Sequence, residues 1–144
     1  MKKFLDHVKN NIISLIVTAL ALMFTVGIMT VFAACGPKED GTWMRCHNVQ
    51  IYLGICGVAM TVLAVAAFIS RPKLLRIALY ALITGGSVVA FLLPEIIMPM
   101  CMLHTMRCYA VMEPFDRVMT ALIAVVSIIG IIRTIIRKDR KGEA

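Results

Sequence analysis

Hydrophobic and polar positions along this chain fall into long blocks rather than alternating. Residues 12–34, 49–70 and 77–93 carry no charged side chain, and a fourth apolar block, 117–136, holds charge only at Arg117 and Arg133. A strand pattern would alternate with period two; blocks of this length instead match the roughly 30 Å hydrocarbon core of a bilayer, crossed at about 1.5 Å per helical residue. The third block is the shortest and spans if the bilayer thins or flanking groups snorkel. Turn-forming residues separate the blocks: Gly36-Pro37, Asp40-Gly41, Arg71-Pro72, and Pro94, Pro99 and Pro114. Pro72 is expected to break the chain between the second and third helices, Pro94 to end the third, and Asp116 to cap the fourth. Small residues recur at helical spacing at Gly54, Gly57, Thr61 and Ala64, and again at Ala78, Ala81 and Gly85, which predicts faces for close helix packing. The pattern therefore predicts an all-α, four-helix transmembrane bundle of two helical hairpins. It forms one integral membrane domain over residues 1–144, with polar segments 35–48 and 94–116 on the same side.

Composition strengthens this reading. The chain is 60% hydrophobic and 16% charged, against roughly half and a quarter in soluble domains. Its formal charge is +7, but the cations cluster at Lys2, Lys3 and Lys9, in the 71–76 turn and after Arg133. By the positive-inside rule those parts stay in the cytoplasm, giving an N-in/C-in protein of the bacterial cytoplasmic membrane with segments 35–48 and 94–116 outside. No basic face interleaved with aromatics is present, which argues against a nucleic-acid partner. The first apolar block exceeds the usual 7–15 residues of a signal-peptide core, so it reads as a retained span. The spans lack mid-membrane ionisable residues and no phosphate-binding loop occurs, which argues against a proton relay or an ATPase.

Candidate chemistry is confined to the two polar segments. They share the tripeptide Met-Arg-Cys, at 44–46 and 106–108, which suggests a parallel internal repeat. Cys35, Cys46, Cys101 and Cys108 lie in these segments, where an oxidising compartment would permit disulfides. Four cysteines allow three pairings, and placing each pair within its own segment, Cys35–Cys46 and Cys101–Cys108, is the expectation. The layout resembles the periplasmic disulfide-generating quinone reductases, which are also four-helix proteins with a cysteine pair in each outer loop. This chain has no Cys-x-x-Cys, the spacing that strains a disulfide and sets its potential. Structural disulfides are thus favoured over a quinone-linked relay. Met98, Met100, Met102, His104 and Met106, with His47 nearby, form a second candidate: thioether and imidazole ligands suit Cu(I) or an axial position at haem. This stretch resembles the methionine motifs of copper importers and chaperones. Methionine is also adaptable packing material at apolar surfaces, and packing is the simpler reading. Covalent haem attachment is disfavoured because Cys46-His47 lacks an upstream partner cysteine. Trp43 sits where an interfacial anchor belongs, and Cys56 reads as an inert small hydrophobe.

Trp43-Met44-Arg45-Cys46-His47 before the second span, with the Met/Cys-rich segment and Met106-Arg107-Cys108 before the fourth, resemble a family of small bacterial four-span membrane proteins of unknown function. Genes of that family often lie beside ABC exporters of the macrolide-exporter type. The resemblance implies an accessory membrane role and supplies no catalytic residue. The expectation is therefore a non-enzymatic membrane protein, an accessory or binding subunit of a transport complex. Its partners would be the lipid bilayer, ABC exporter subunits and further copies of itself. Cu(I)- or haem-handling and disulfide–quinone oxidoreduction are the rival readings.

Overall fold

The computed structural model describes residues 1, 11–32, 36–43, 45–97 and 108–142, with the backbone alone at 108 and 137–142. Four helices make up almost all of it: α1, Ile12–Met29; α2, Arg45–Ile69; α3, Lys73–Leu92; and α4, Glu113–Gly142. Each is long and apolar enough to cross a membrane. Only 28% to 39% of the most apolar window of each is buried within the chain. The remaining surface carries side chains such as Leu22, Met23, Ile55, Val62, Leu82, Val89, Val125 and Ile132. An apolar exterior of this extent fits hydrocarbon and would aggregate in water.

Helices adjacent in sequence pack side by side, and α4 closes the ring against α1. The core is the inward stripe of each helix. Val17, Ala21, Phe24 and Ile28 of α1 meet Val49, Leu53, Met60 and Ala64 of α2, Ile83 and Ala90 of α3, and Met119 and Ile123 of α4. Helical spacing of three and four residues produces these stripes. The small-residue face of α2 is used internally: a Cβ on Gly54 would lie 2.6 Å from Met29, and one on Gly57 2.5 Å from the Thr25 hydroxyl. The corresponding face of α3 is not. Ala78, Ala81 and Gly85 are exposed, and no atom would lie within 4 Å of a Cβ on Gly85.

Many polar groups within the spans are satisfied locally, as an apolar surrounding favours, although the buried Ser127 hydroxyl has no partner among the described residues. The hydroxyls of Thr18, Thr25, Thr61, Thr84 and Thr134 each donate to the carbonyl four residues earlier, at 2.7–2.9 Å. Gln50 Nε2 donates to the Ile28 carbonyl at 3.0 Å, serving one of the carbonyls that the end of α1 leaves without a helical partner. Ser14 of α1 and Tyr80 of α3 share a buried hydrogen bond of 2.6 Å across the bundle.

Two boundaries differ from the sequence reading. Pro94 does not stop the third helix: the backbone widens into an i→i+5 turn over Leu93–Ile97, with Pro94 buried inside it. Widening relieves the clash of the proline ring with the preceding turn while keeping the chain helical. The fourth helix begins three residues before the expected cap. A second widened turn, Cys108–Met112, runs into Glu113, and Pro114 sits in the first helical turn, where its missing N–H costs nothing. Asp116 is therefore inside α4. As expected, Pro72 separates α2 from α3 in an extended conformation.

A buried carboxylate and an ion-pair cluster at one end of the bundle

The end of the bundle that carries residues 30–32, 36–43, 93–97 and 109–113 holds a compact charged group. Starting α4 at Glu113 places Glu113 and Asp116 in its first turn, where the two acids complement the positive end of the helix dipole, and Arg117 directly after it. Arg117 Nη2 binds Glu113 Oε1 at 2.8 Å, one turn back, and Glu95 Oε2 at 2.6 Å on the widened turn after α3. Its guanidinium also lies 5.7 Å from the centre of the Phe91 ring. Arg117 thus ties the ends of α3 and α4 together. The carboxylates of Glu95 and Glu113 differ in setting: the first side chain is 49% exposed, the second 8%.

Asp116 is one position away and points elsewhere. It is 0% exposed, and neither carboxylate oxygen has a hydrogen-bond partner among the described residues. The nearby Thr120 hydroxyl is committed to the Asp116 main-chain carbonyl at 2.7 Å. Arg117 turns outward to the two glutamates instead. A buried carboxyl oxygen without a donor costs at least about 1–3 kcal/mol, and more when charged. Ionisable groups in membrane helices are rare and mark function by default. The cluster holds three carboxyl groups and one guanidinium, of which Glu95 and Arg117 are half-exposed and Glu113 and Asp116 buried.

Aromatic packing fixes this end. Phe115 stacks on Phe32 with ring centres 4.0 Å apart and lies parallel to Phe24 at 6.5 Å. Gly27 makes room for it: a Cβ there would lie 2.5 Å from the Phe115 ring. Residues 38–42 form a tight turn in which Lys38 N–H donates to the Thr42 carbonyl at 3.0 Å. Gly41 supplies the positive φ of 77° that the turn demands.

The residues proposed from sequence are distributed unevenly. Trp43 is exposed and stacks on the half-buried His47 ring at 4.0 Å. Cys46 is fully buried at the start of α2, and Cys56 is half-buried. Cys35, Met98, Met100, Cys101, Met102, His104 and Met106 lie outside the described residues, and only the backbone of Cys108 is given. Neither expected cysteine pairing nor the methionine ligand set is therefore placed. Among the described residues, no three His, Cys, Asp or Glu side chains converge to hold a metal. Sequence reasoning missed the cluster itself. Asp116 was expected as a cap; Pro114 flanked by Glu113 and Asp116 was the signal for an earlier helix start.

This architecture, four apolar helices around a thin core, defines a polytopic helical membrane protein. Within that class the chain belongs to the family described as Domain of unknown function (DUF4418), whose sequence profile matches residues 15–133. No curated protein and no solved structure matches the chain.

Proposed function

We propose that this chain is a non-enzymatic accessory or binding subunit of a membrane transport complex. It would lie in the bacterial cytoplasmic membrane as one domain, with residues 35–48 and 94–116 outside. The observation that carries the reading is Asp116. A fully buried carboxyl group whose oxygens find no donor among the described residues is poorly explained as scaffold, because an apolar residue of that size would pack at lower cost. It is better explained as charge held beside a contact that an outside partner reaches through the half-exposed Glu95 and Arg117, since Asp116 itself has no exposed surface. The neighbouring Glu95, Glu113 and Arg117 supply a polar rim for such a contact. The likeness of the outer-segment motifs to a family encoded beside ABC exporters makes exporter subunits the first partners to test. Disulfides at Cys35, Cys46, Cys101 and Cys108 would constrain residues 35–48 and 94–116.

The test is co-purification of the tagged chain with exporter subunits encoded beside it, compared between wild type and Asp116→Asn at equal expression. Retention by wild type and loss by the variant is expected; equal retention by both removes Asp116 from the contact, and no retention by either removes the transport reading. The purified wild type should also be assayed for copper, haem and quinone. A stoichiometric cofactor would move the reading to one of the rivals. The joint variant Met100→Leu, Met102→Leu, Met106→Leu conserves volume and removes only sulfur. It is expected to fold and to keep its partners; a selective loss of copper tolerance in cells carrying it would establish ligation.

A further inference from the structure

The opposite end of the bundle carries a cavity of about 160 Å³, lined by Ile13 of α1, by Arg71, Lys73, Arg76 and Tyr80 around the start of α3, and by Gly130 and Arg133 of α4. A single water needs only about 10–15 Å³ by this kind of measure, so the space takes a polyatomic group. Four of the lining side chains are cationic, and none is acidic among the described residues. We infer that this cavity is a binding site for a phosphate-bearing anion, the headgroup of an anionic phospholipid or a soluble phosphate.

The site is built rather than incidental. Arg76 Nη2 donates to the Ser70 carbonyl at 2.7 Å, which pins the guanidinium across the turn between α2 and α3. Its Nε is buried and has no partner among the described residues. A guanidinium offers five N–H donors in a planar fork suited to phosphate oxygens, so a fixed Arg76 has donors to spare. The Ser14–Tyr80 hydrogen bond of 2.6 Å ties the α1 and α3 walls together. Gly130 lets the α4 wall approach: a Cβ there would lie 3.1 Å from the Tyr80 ring and 3.2 Å from Ile13. Cations that only set membrane orientation need not converge. Here Arg71, Lys73 and Arg76 come from one turn and Arg133 from a helix more than fifty residues away, yet all line one cavity at the level of the helix ends. Lipid phosphates lie at that level of a bilayer, and each cation there contributes about fivefold to binding an anionic surface.

The full chain in phosphatidylcholine nanodiscs provides the test. Added phosphatidylglycerol or cardiolipin, and separately inorganic phosphate or glycerol 3-phosphate, are titrated while the thermal midpoint is followed; native mass spectrometry counts retained lipid. Stabilisation by the anionic lipids identifies a headgroup site, and stabilisation by soluble phosphates alone identifies a free-phosphate site; either supports the inference. The double variant Arg71→Gln, Arg133→Gln removes two exposed cations without disturbing Arg76 and its turn, and should weaken the effect about thirtyfold. Arg45→Gln at the other end is the matched control and should leave it unchanged. No stabilisation by any anion, or an equal loss in the Arg45→Gln control, overturns the inference.

Discussion

At the scale of single residues, two buried polar groups mark the two ends of the molecule and behave oppositely. Tyr80 has its partner, Ser14, at 2.6 Å. Replacing it by Phe leaves the Ser14 hydroxyl to find another acceptor, and hydrogen bonds between membrane helices average about 0.6 kcal/mol, with a maximum near 1.7. Tyr80→Phe is therefore expected to lower stability by about 0.6–1.7 kcal/mol in reversible detergent unfolding; a larger loss would mean that the ring also holds the α4 wall through Gly130. Asp116 has no hydrogen-bond partner among the described residues to lose. Asp116→Val replaces the buried acid by an apolar side chain of similar shape, so the isolated chain should gain about 1–3 kcal/mol in the same assay. A gain in stability joined to a loss of partner retention is the signature of a residue kept for binding. A loss of stability would show instead that the carboxylate is already satisfied within the chain.

At the scale of helices, the spans were legible because length and apolarity alone decide them: 12–34 and 49–70 can be little else. Their ends were less legible. Proline reads as a stop, but Pro94 widens a helix and Pro114 starts one, so the helical backbone reaches Ile97 on one side and begins before Asp116 on the other. That shift alone turns Asp116 from an exposed cap into a buried group, and sequence spacing does not report it. Small-residue faces were visible as patterns, while which of them is used was not, because that depends on helix neighbours. Gly27 belongs to no such pattern, yet it is the closest approach in the bundle to Phe115. Gly27→Val should force that ring from its stack on Phe32 and cost about 1–3 kcal/mol. Gly85→Val meets nothing within 4 Å and should leave the isolated chain as stable as wild type. If Gly85→Val unfolds the purified monomer, the exposed face of α3 is misplaced. If it instead disperses an oligomer without unfolding it, that face is where copies of the chain meet.

At the scale of the whole molecule, charge separates the two ends. One end gathers Arg71, Lys73, Arg76 and Arg133 around a cavity; the other gathers Glu95, Glu113 and Asp116 around Arg117. The sequence revealed the first group only as a sign of orientation, because the proximity of Arg133 to the 71–76 turn arises from α4 closing against its neighbours. Orientation itself follows from this polarity: cations resist translocation, so the basic end should face the cytoplasm. Thiol labelling of intact cells tests it, but Cys46 is unsuitable as the reporter, since it is fully buried and would stay silent on either side. Glu39 stands exposed on the turn beside Gly41, and Leu74 is 81% exposed at the basic end. Glu39→Cys should add labelling by a membrane-impermeant maleimide beyond the wild-type background in intact cells. Leu74→Cys should add it only after the membrane is permeabilised. The reverse pattern would place the basic cavity outside, against the positive-inside rule. It would then turn the acidic end and Asp116 towards cytoplasmic partners rather than towards the outer face of an exporter.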